Sequence, residues 1–286
     1  MPTRTAPDPF ENLPHIEIVH LKDVVLHEDH DERRAERIVA RLKDEEILRN
    51  PPVVAPIDGG RKYMVLDGAN RTTALRLLGC RDALVQVVDY ASPDVVLDTW
   101  DHLIAEMPGK HLLDQVRDIG GDLRLVEMTV DKIDDLLARR EILCAITTTG
   151  DGRTWAVRQG PDLRSQVLYL NRIVAIYRGK VEIYRVDAEH IRNLARDDRR
   201  PTALIAFPRY TKEEVVSLTL ADVKLPAGIT RHLIGGRALR INLGLELLRS
   251  DMSLKSKNLQ LRDIIRQKVL DRKVRFYREP TFLFDE

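Results

Sequence analysis

Tyr63-Met64-Val65-Leu66-Asp67-Gly68-Ala69-Asn70-Arg71-Thr72-Thr73-Ala74-Leu75 joins two kinds of periodicity with no spacer between them. Lys62 to Leu66 is a short apolar run of strand type, whereas Asn70 to Leu78 carries Ala74, Leu75, Leu77 and Leu78 at helical spacing. Gly68 lets the backbone turn tightly between the two, and Gly79 supplies the helix C-cap. A strand that runs straight into a helix leaves the first helical N–H groups without partners. Together with the helix dipole they make an anion site. Arg71, in the first turn, adds a planar donor fork suited to a phosphate. Asp67, at the strand end, can hold Mg²⁺ or orient a hydroxyl, because Mg²⁺ sites use one or two carboxylates plus substrate phosphates. The plainer reading of the same residues is a turn with Arg71 on a solvated face.

Upstream of this turn, Ile16-Glu17-Ile18-Val19 alternates as a short strand. Asp31 to Glu45 reads as a helix with Ala35, Ile38, Val39 and Leu42 on one face. Pro51-Pro52 ends that region, Val53-Val54-Ala55 resumes as a strand, and Asp58-Gly59-Gly60 is a hairpin turn signal. Downstream, Leu84 to Val88 is a further strand, so a small α/β (α+β) domain closes near Tyr90. Asp94 to Met107 is expected as a helix leading to the second half. The first domain is therefore taken as residues 1–107 and a second, mixed α/β domain as 108–286.

In the second half, Leu163 to Tyr177 is expected as a helix, with strands at Val181 to Val186 and Ala203 to Phe207. Thr211-Lys212-Glu213-Glu214 is a capping box opening another helix. Pro226-Ala227-Gly228 turns into a strand-like run from Ile229 to Leu243. Leu254 to Val269 is the last long helix, and Val274 to Tyr277 the last strand.

Lys plus Arg number 46 against 45 acidic residues, a net charge of +1. A dedicated binder of duplex DNA usually carries a basic excess, so nucleic acid is an unlikely partner. The basic run Arg192 to Arg200 is interrupted by Asp197 and Asp198 and reads as a solvated face rather than a DNA arm. The two cysteines, Cys80 and Cys144, lack CxxC spacing and read as buried free thiols. With no apolar stretch of about 18 residues for a membrane span, and with MPTRTAPDPF at the start lacking a signal-peptide core, the expectation is a cytoplasmic protein with a mobile N-terminal tail.

The strand-Asp-Gly-x-x-Arg-helix pattern, closing on Leu77-Leu78-Gly79, resembles the signature of the ParB/sulfiredoxin superfamily, whose members bind nucleotide phosphates at this turn. The likeness extends to the free serine kinases within it. Leu26-His27-Glu28 resembles the segment carrying their catalytic glutamate, Asp98-Thr99-Trp100 resembles their Thr-Trp pair, and Leu225 to His232 resembles their C-terminal Thr-Arg stretch. Both the archaeal ADP-dependent branch and the bacterial branch of siderophore clusters look related, the second running on through Gly235-Gly236-Arg237. The resemblance implies a ParB/sulfiredoxin-like N-terminal domain and an active site in the cleft between two domains. It implies transfer of a phosphoryl group from ATP or ADP, with Mg²⁺, to the hydroxyl of L-serine.

The same resemblance assigns Asp67, Gly68, Ala69, Asn70, Arg71 and Thr72 to the nucleotide. It assigns Trp100, Thr230, Arg231 and His232 to serine, and catalysis to Glu28 as the base with Asp67 beside it. Taken as residues alone, Glu28 reads first as a surface glutamate before a helix, Trp100 equally as a core side chain, and His27 and His30 as ordinary surface histidines. Arg231 suits a carboxylate bidentately. Neighbours on a regular strand point to opposite faces, so Thr230 and His232 join Arg231 only if the chain bends near Gly228. The kinases have His before the arginine of the turn where this chain has Asn70, which can hydrogen-bond a phosphate but cannot carry charge or shuttle a proton. Sulfiredoxin chemistry needs a cysteine there, and Ala69 and Asn70 exclude it. Two other readings compete: a ParB-like nucleotide-binding regulator of transcription, which needs a helix-turn-helix after the turn domain, and a non-catalytic ligand-binding relative.

Overall fold

A computed structural model describes residues 13–158, 160, 162–187 and 201–277. The N-terminal decapeptide and the run Arg192 to Arg200 lie outside the described residues. Where the sequence suggests a single cut at Met107, the chain forms two compact units that exchange segments. One comprises the described parts of Met1–Val24, Ala35–Ser92 and Ile234–Glu286, the other Val25–Arg34 and Pro93–Leu233.

The first unit is built on the strands, in sheet order, Ile16–His20, Asp82–Val87, Val53–Ile57 and Lys62–Asp67. Val53–Ile57 pairs antiparallel with Lys62–Asp67 and parallel with Asp82–Val87, whose other edge pairs antiparallel with Ile16–His20. Val54, Met64, Val65 and Leu84 are fully buried in the sheet, and Ala74 and Leu75 of the helix Ala69–Leu77 are buried as well. Truncating Leu75 to Ala at such a site costs about 2–5 kcal/mol. Gly79, at φ +67, ends that helix in a Schellman pattern, its N–H donating to the Arg76 carbonyl and that of Cys80 to the Leu75 carbonyl.

The C-terminal helix Leu254–Leu270, capped by Ser253, packs on the N-terminal strand. Asn258 accepts from the Ile18 N–H and donates to the Ile18 carbonyl, both at 2.8 Å. The preceding residue, the fully buried Lys257, meets Asp82 at 2.6 Å and the Ser250 carbonyl at 2.7 Å, and His20 takes the other Asp82 oxygen at 2.7 Å. Removing one member of such a buried pair strands its partner and costs about 3–5 kcal/mol.

The second unit centres on a six-stranded sheet in the order Ile183–Val186, Asp101–Ile104, Ala203–Ala206, Cys144–Thr148, Thr154–Arg158, Arg124–Met128, antiparallel throughout. The helices Gly109–Asp118 and Leu163–Tyr177 pack together, burying Leu112, Val116, Leu170 and Ile173. Asp162 caps the longer helix through the Ser165 N–H. Both halves of the Thr211 capping box are formed.

Three expectations fail. Asp94 to Met107 is not a helix but two strands, Val95–Thr99 and Asp101–Ile104. The second is flanked by ladders on both edges, and burial among them outweighs any local helical spacing. Ile229 to Leu243 holds only Thr230–Ile234 and Leu243–Gly244 as strand, because Gly236, Arg240 and Asn242 take left-handed φ between them. Val274 to Tyr277 forms no strand; Val274, Phe276 and Tyr277 are exposed. Cys80 and Cys144 are buried free thiols.

Candidate active site residues

The turn after Lys62–Asp67 is held from beneath. Gly68 sits at φ 101°, ψ 27° as the N-cap of the helix, and a Cβ there would lie 3.0 Å from both the Pro52 Cα and an Arg71 guanidinium nitrogen. Glycine is therefore required twice, for its conformation and for its lack of a side chain. The Arg71 guanidinium spans the turn. It donates to Asp67 Oδ2 at 2.6 Å and to the carbonyls of Asn50 and Pro51 at 3.1 and 3.2 Å. Burial, the largest influence on it, lowers its pKa from the usual arginine range, with Asp67 acting against that shift. Arg71 is thus a clamp inside the turn rather than a donor fork presented outward.

A second guanidinium, that of Arg237, also pairs with Asp67 Oδ2 and is twice as exposed. Its loop is fixed by the buried Gln86, which donates to the Gly236 carbonyl at 3.0 Å and accepts from the Ala238 N–H at 2.8 Å. Asp67 Oδ2 is thus shared by two guanidinium groups. Among the described residues no group of three or more His, Cys, Asp or Glu is placed to hold a metal. Asp67 orients arginines. Ala69 opens the helix, so the backbone there carries only a methyl group. Asn70 occupies the first turn, and Thr72 is fully buried with its N–H on the Gly68 carbonyl, so it offers nothing outward.

In the second unit Glu28 lies on an extended segment bridged in parallel to Leu225. The Leu225 N–H donates to the His27 carbonyl, and the Asp29 N–H to the Leu225 carbonyl, both at 2.9 Å. That pairing brings the Glu28 side chain under the loop Pro226–Thr230. Its Oε2 accepts from the Thr230 hydroxyl at 2.6 Å and from the Gly228 N–H at 3.2 Å. A carboxylate only accepts, so the Thr230 proton is committed to Glu28. The Thr230 oxygen, 2.8 Å from His27 Nε2, must then accept from it, which places the His27 proton on Nε2.

His27 is 3% exposed and edge-on to His232 with ring centroids 5.1 Å apart. The expectation of a surface histidine is wrong at position 27, because the strand-like pairing with Leu225 turns the residue inward. Alternation along Thr230–Ile234 holds: Thr230 and His232 face His27, while the Arg231 guanidinium stacks on Trp100 at 4.1 Å, with Asp187 4.0 Å away. The structure therefore joins Glu28, Thr230 and His232 in one cluster and Arg231 with Trp100 in another on the same strand. Glu28 is no free surface charge, and Trp100 is half-buried rather than a core residue.

Sequence reasoning passed over His27, Gln86, His102 and Gly228 as parts of this machinery. The apolar run Val24-Val25-Leu26 before His27 was the available signal for an inward-facing position. Gln86 and His102 are polar residues inside strands, the pattern of a buried side chain with dedicated partners.

No family model matches the chain. It is 23% identical over 245 residues to the ATP-dependent L-serine kinase SbnI of Staphylococcus aureus, spanning 83% of this chain and 85% of that one. It is 24% identical over 237 residues to the ADP-dependent L-serine kinase SerK of Thermococcus kodakarensis, spanning 80% and 91%. A solved free serine kinase in complex with AMP superposes with a TM-score of 0.71 at 21% identity, covering 84% of this chain and 98% of the other. Over most of its length the chain is similar in sequence to L-serine kinases, and it shares its fold with a solved free serine kinase.

Proposed function

We propose that the chain transfers the terminal phosphoryl group of ATP or ADP to the hydroxyl of free L-serine, giving O-phospho-L-serine. The observation that supports this best is the asymmetry of the Glu28 carboxylate. Oε2 is satisfied by the Thr230 hydroxyl and the Gly228 N–H, while Oε1 has no partner among the described residues. A carboxylate held by one oxygen presents the other as a general base. In the reaction the serine hydroxyl loses its proton to Glu28, its oxygen forms a bond to the terminal phosphorus, and the bridging P–O bond breaks to release ADP or AMP. Arg231, stacked on Trp100, is the cation for the serine carboxylate. The helix start at Ala69–Arg71 and Arg237 bind the nucleotide phosphates. The names of the relatives include both ATP and ADP, and the donor is left as either.

The regulatory alternative required a helix-turn-helix after the turn domain; that stretch is strand Val95–Thr99 and strand Asp101–Ile104.

Glu28→Gln keeps the shape of the side chain and removes its basic oxygen. Turnover to phosphoserine should fall by roughly 10²–10⁴, the usual worth of general-base catalysis, with serine and nucleotide still bound by calorimetry. A wild-type protein that makes no phosphoserine from L-serine with either nucleotide would overturn the assignment.

A further inference from the structure

The Gly228 N–H is one of the two donors on the Glu28 carboxylate, yet Gly228 is a residue with little conformational preference of its own. It lies at φ +80, and a Cβ there would meet the Arg185 guanidinium at 2.4 Å. Something outside the loop has to fix it. The Gly228 carbonyl accepts from His102 Nε2 at 3.1 Å, and His102 Nδ1 lies 2.9 Å from the Tyr177 hydroxyl. A carbonyl only accepts, so Nε2 carries the proton. With the ring neutral, Nδ1 is an acceptor and Tyr177 donates to it.

His102 is 2% exposed. Burial lowers its pKa to about 4 against the opposing bond to the Gly228 carbonyl, and the Arg185 charge adds a smaller push downward. The imidazole thus stays neutral, and its Nε2 donor persists, throughout the range in which a carboxylate base works. The strand Asp101–Ile104 carries the ring and is paired on both edges, so the donor is anchored inside a sheet rather than on its rim.

We infer that His102 is a positioning residue for Glu28: it pins the Gly228 carbonyl, and through Gly228 holds one of the two donors that keep Glu28 Oε2 engaged and Oε1 presented to the acceptor hydroxyl. This deepens the serine-kinase reading and rests on it. The charged or titratable groups around this chain of bonds are His27 and Asp29 on the Glu28 segment, Arg178 paired with Asp29, His232, Arg185, Tyr177 and Asp101.

The test compares His102→Leu, which has no donor, with His102→Gln, whose amide can reach the same carbonyl, and with Tyr177→Phe, which frees the ring to change tautomer. In His102→Leu, kcat should fall about fivefold, the equivalent of one ordinary hydrogen bond of about 1 kcal/mol, with KM for serine and nucleotide within twofold of wild type. The acid limb of the kcat/KM profile should move to higher pH, because a carboxylate that loses a donor is easier to protonate. His102→Gln should restore most of both. Tyr177→Phe should shift the limb in the same direction by less.

A melting temperature lowered in His102→Leu with kcat and the acid limb unmoved would leave His102 a packing residue and overturn the inference. Loss of kcat that His102→Gln does not restore would do the same. A readout independent of kinase activity is the ¹³C titration of the Glu28 carboxyl carbon, assigned with Glu28→Gln, in the protein without substrate. Its midpoint should rise in His102→Leu, or in Tyr177→Phe if the leucine variant does not fold. An unmoved midpoint refutes the positioning role even in an active kinase, and a raised one supports it even if serine is not the acceptor.

Discussion

Thr230→Val removes one hydroxyl from the Glu28 cluster and keeps the shape of the side chain. Thr230 is 9% exposed, and its hydroxyl donates to Glu28 Oε2 at 2.6 Å while accepting from His27 Nε2 at 2.8 Å. A hydrogen bond to a charged group contributes about 1.5–3 kcal/mol, and a tenfold change in proton affinity corresponds to about 1.4 kcal/mol. Losing the bond penalises only the ionised carboxylate, so the base is neutralised by protons at higher pH than in wild type. The acid limb of kcat/KM for serine should therefore move up by roughly 1–2 pH units, with a smaller change on the alkaline side. A second effect follows from the buried His27 N–H, which loses its 2.8 Å acceptor at a cost of up to about 1–3 kcal/mol. That should lower the melting temperature by several degrees. Thr230→Ser restores the hydroxyl and should return both quantities toward wild type. The assay is phosphoserine formation between pH 5 and 9, with thermal melts on the same preparations. If Thr230→Val keeps the wild-type acid limb and the serine variant behaves no differently from it, the Thr230–Glu28 bond has no part in setting the base.

The two arginines on Asp67 should separate. Arg237→Ala should weaken nucleotide binding about tenfold or more by calorimetry, the range of a charge-assisted bond, with little change in melting temperature. Arg71→Ala should lower the melting temperature as well, since it strands the Asn50 and Pro51 carbonyls; equal melts for the two variants would refute the division. Asn70→His should be tolerated, and a loss of turnover beyond about tenfold would mean that this turn differs from that of the kinases. Asp101, 6% exposed, has its carboxyl raised to about 7 by burial, against the opposing Phe207 N–H bond. The folded protein then keeps a proton that the unfolded chain releases near pH 4, so Asp101 contributes a fall in stability as pH rises from about 4 to 7, set against the rise that the lowered pKa of His102 contributes from about 4 to 6.5. Asp101→Asn should flatten that fall by a few kcal/mol, roughly, in denaturant titrations at pH 4.5 and 7.5. A variant with the same difference in stability between the two pH values as wild type would refute it.

The turn from Lys62 to Leu78 is legible in sequence because every local preference there agrees: an apolar strand, one glycine, a helical spacing, and a glycine stop. The helix Leu163–Tyr177 and the Thr211 capping box are legible for the same reason. Asp94 to Met107 misleads because its fate is decided by strands far away in sequence, with Ile104 paired to Ile183 and Ala203. Nor does the sequence expose that Ile234–Glu286 belongs to the first unit, where Asn258 meets Ile18.

The candidate site divides along the same line. Glu28, Asp67, Arg231 and Trp100 are residue types that announce chemistry, and a family likeness finds them. What holds them does not announce itself. Arg71 reads from sequence as a phosphate ligand because an arginine in a first helical turn usually faces outward. Only the approach of Asn50 and Pro51 makes it a clamp, leaving Arg237, 170 positions from Asp67, as the more exposed cation. At the other cluster the proposed base, Glu28, is held by neutral donors: a threonine hydroxyl, a peptide N–H, and behind that peptide His102, which burial keeps neutral. A cation beside Glu28 would hold the carboxylate more strongly, but it would also lower its proton affinity and weaken it as a base. Neutral donors orient the carboxylate at a smaller cost in basicity. For that reason the supporting residues are polar, buried and uncharged, the class whose role is hardest to read before the fold is known.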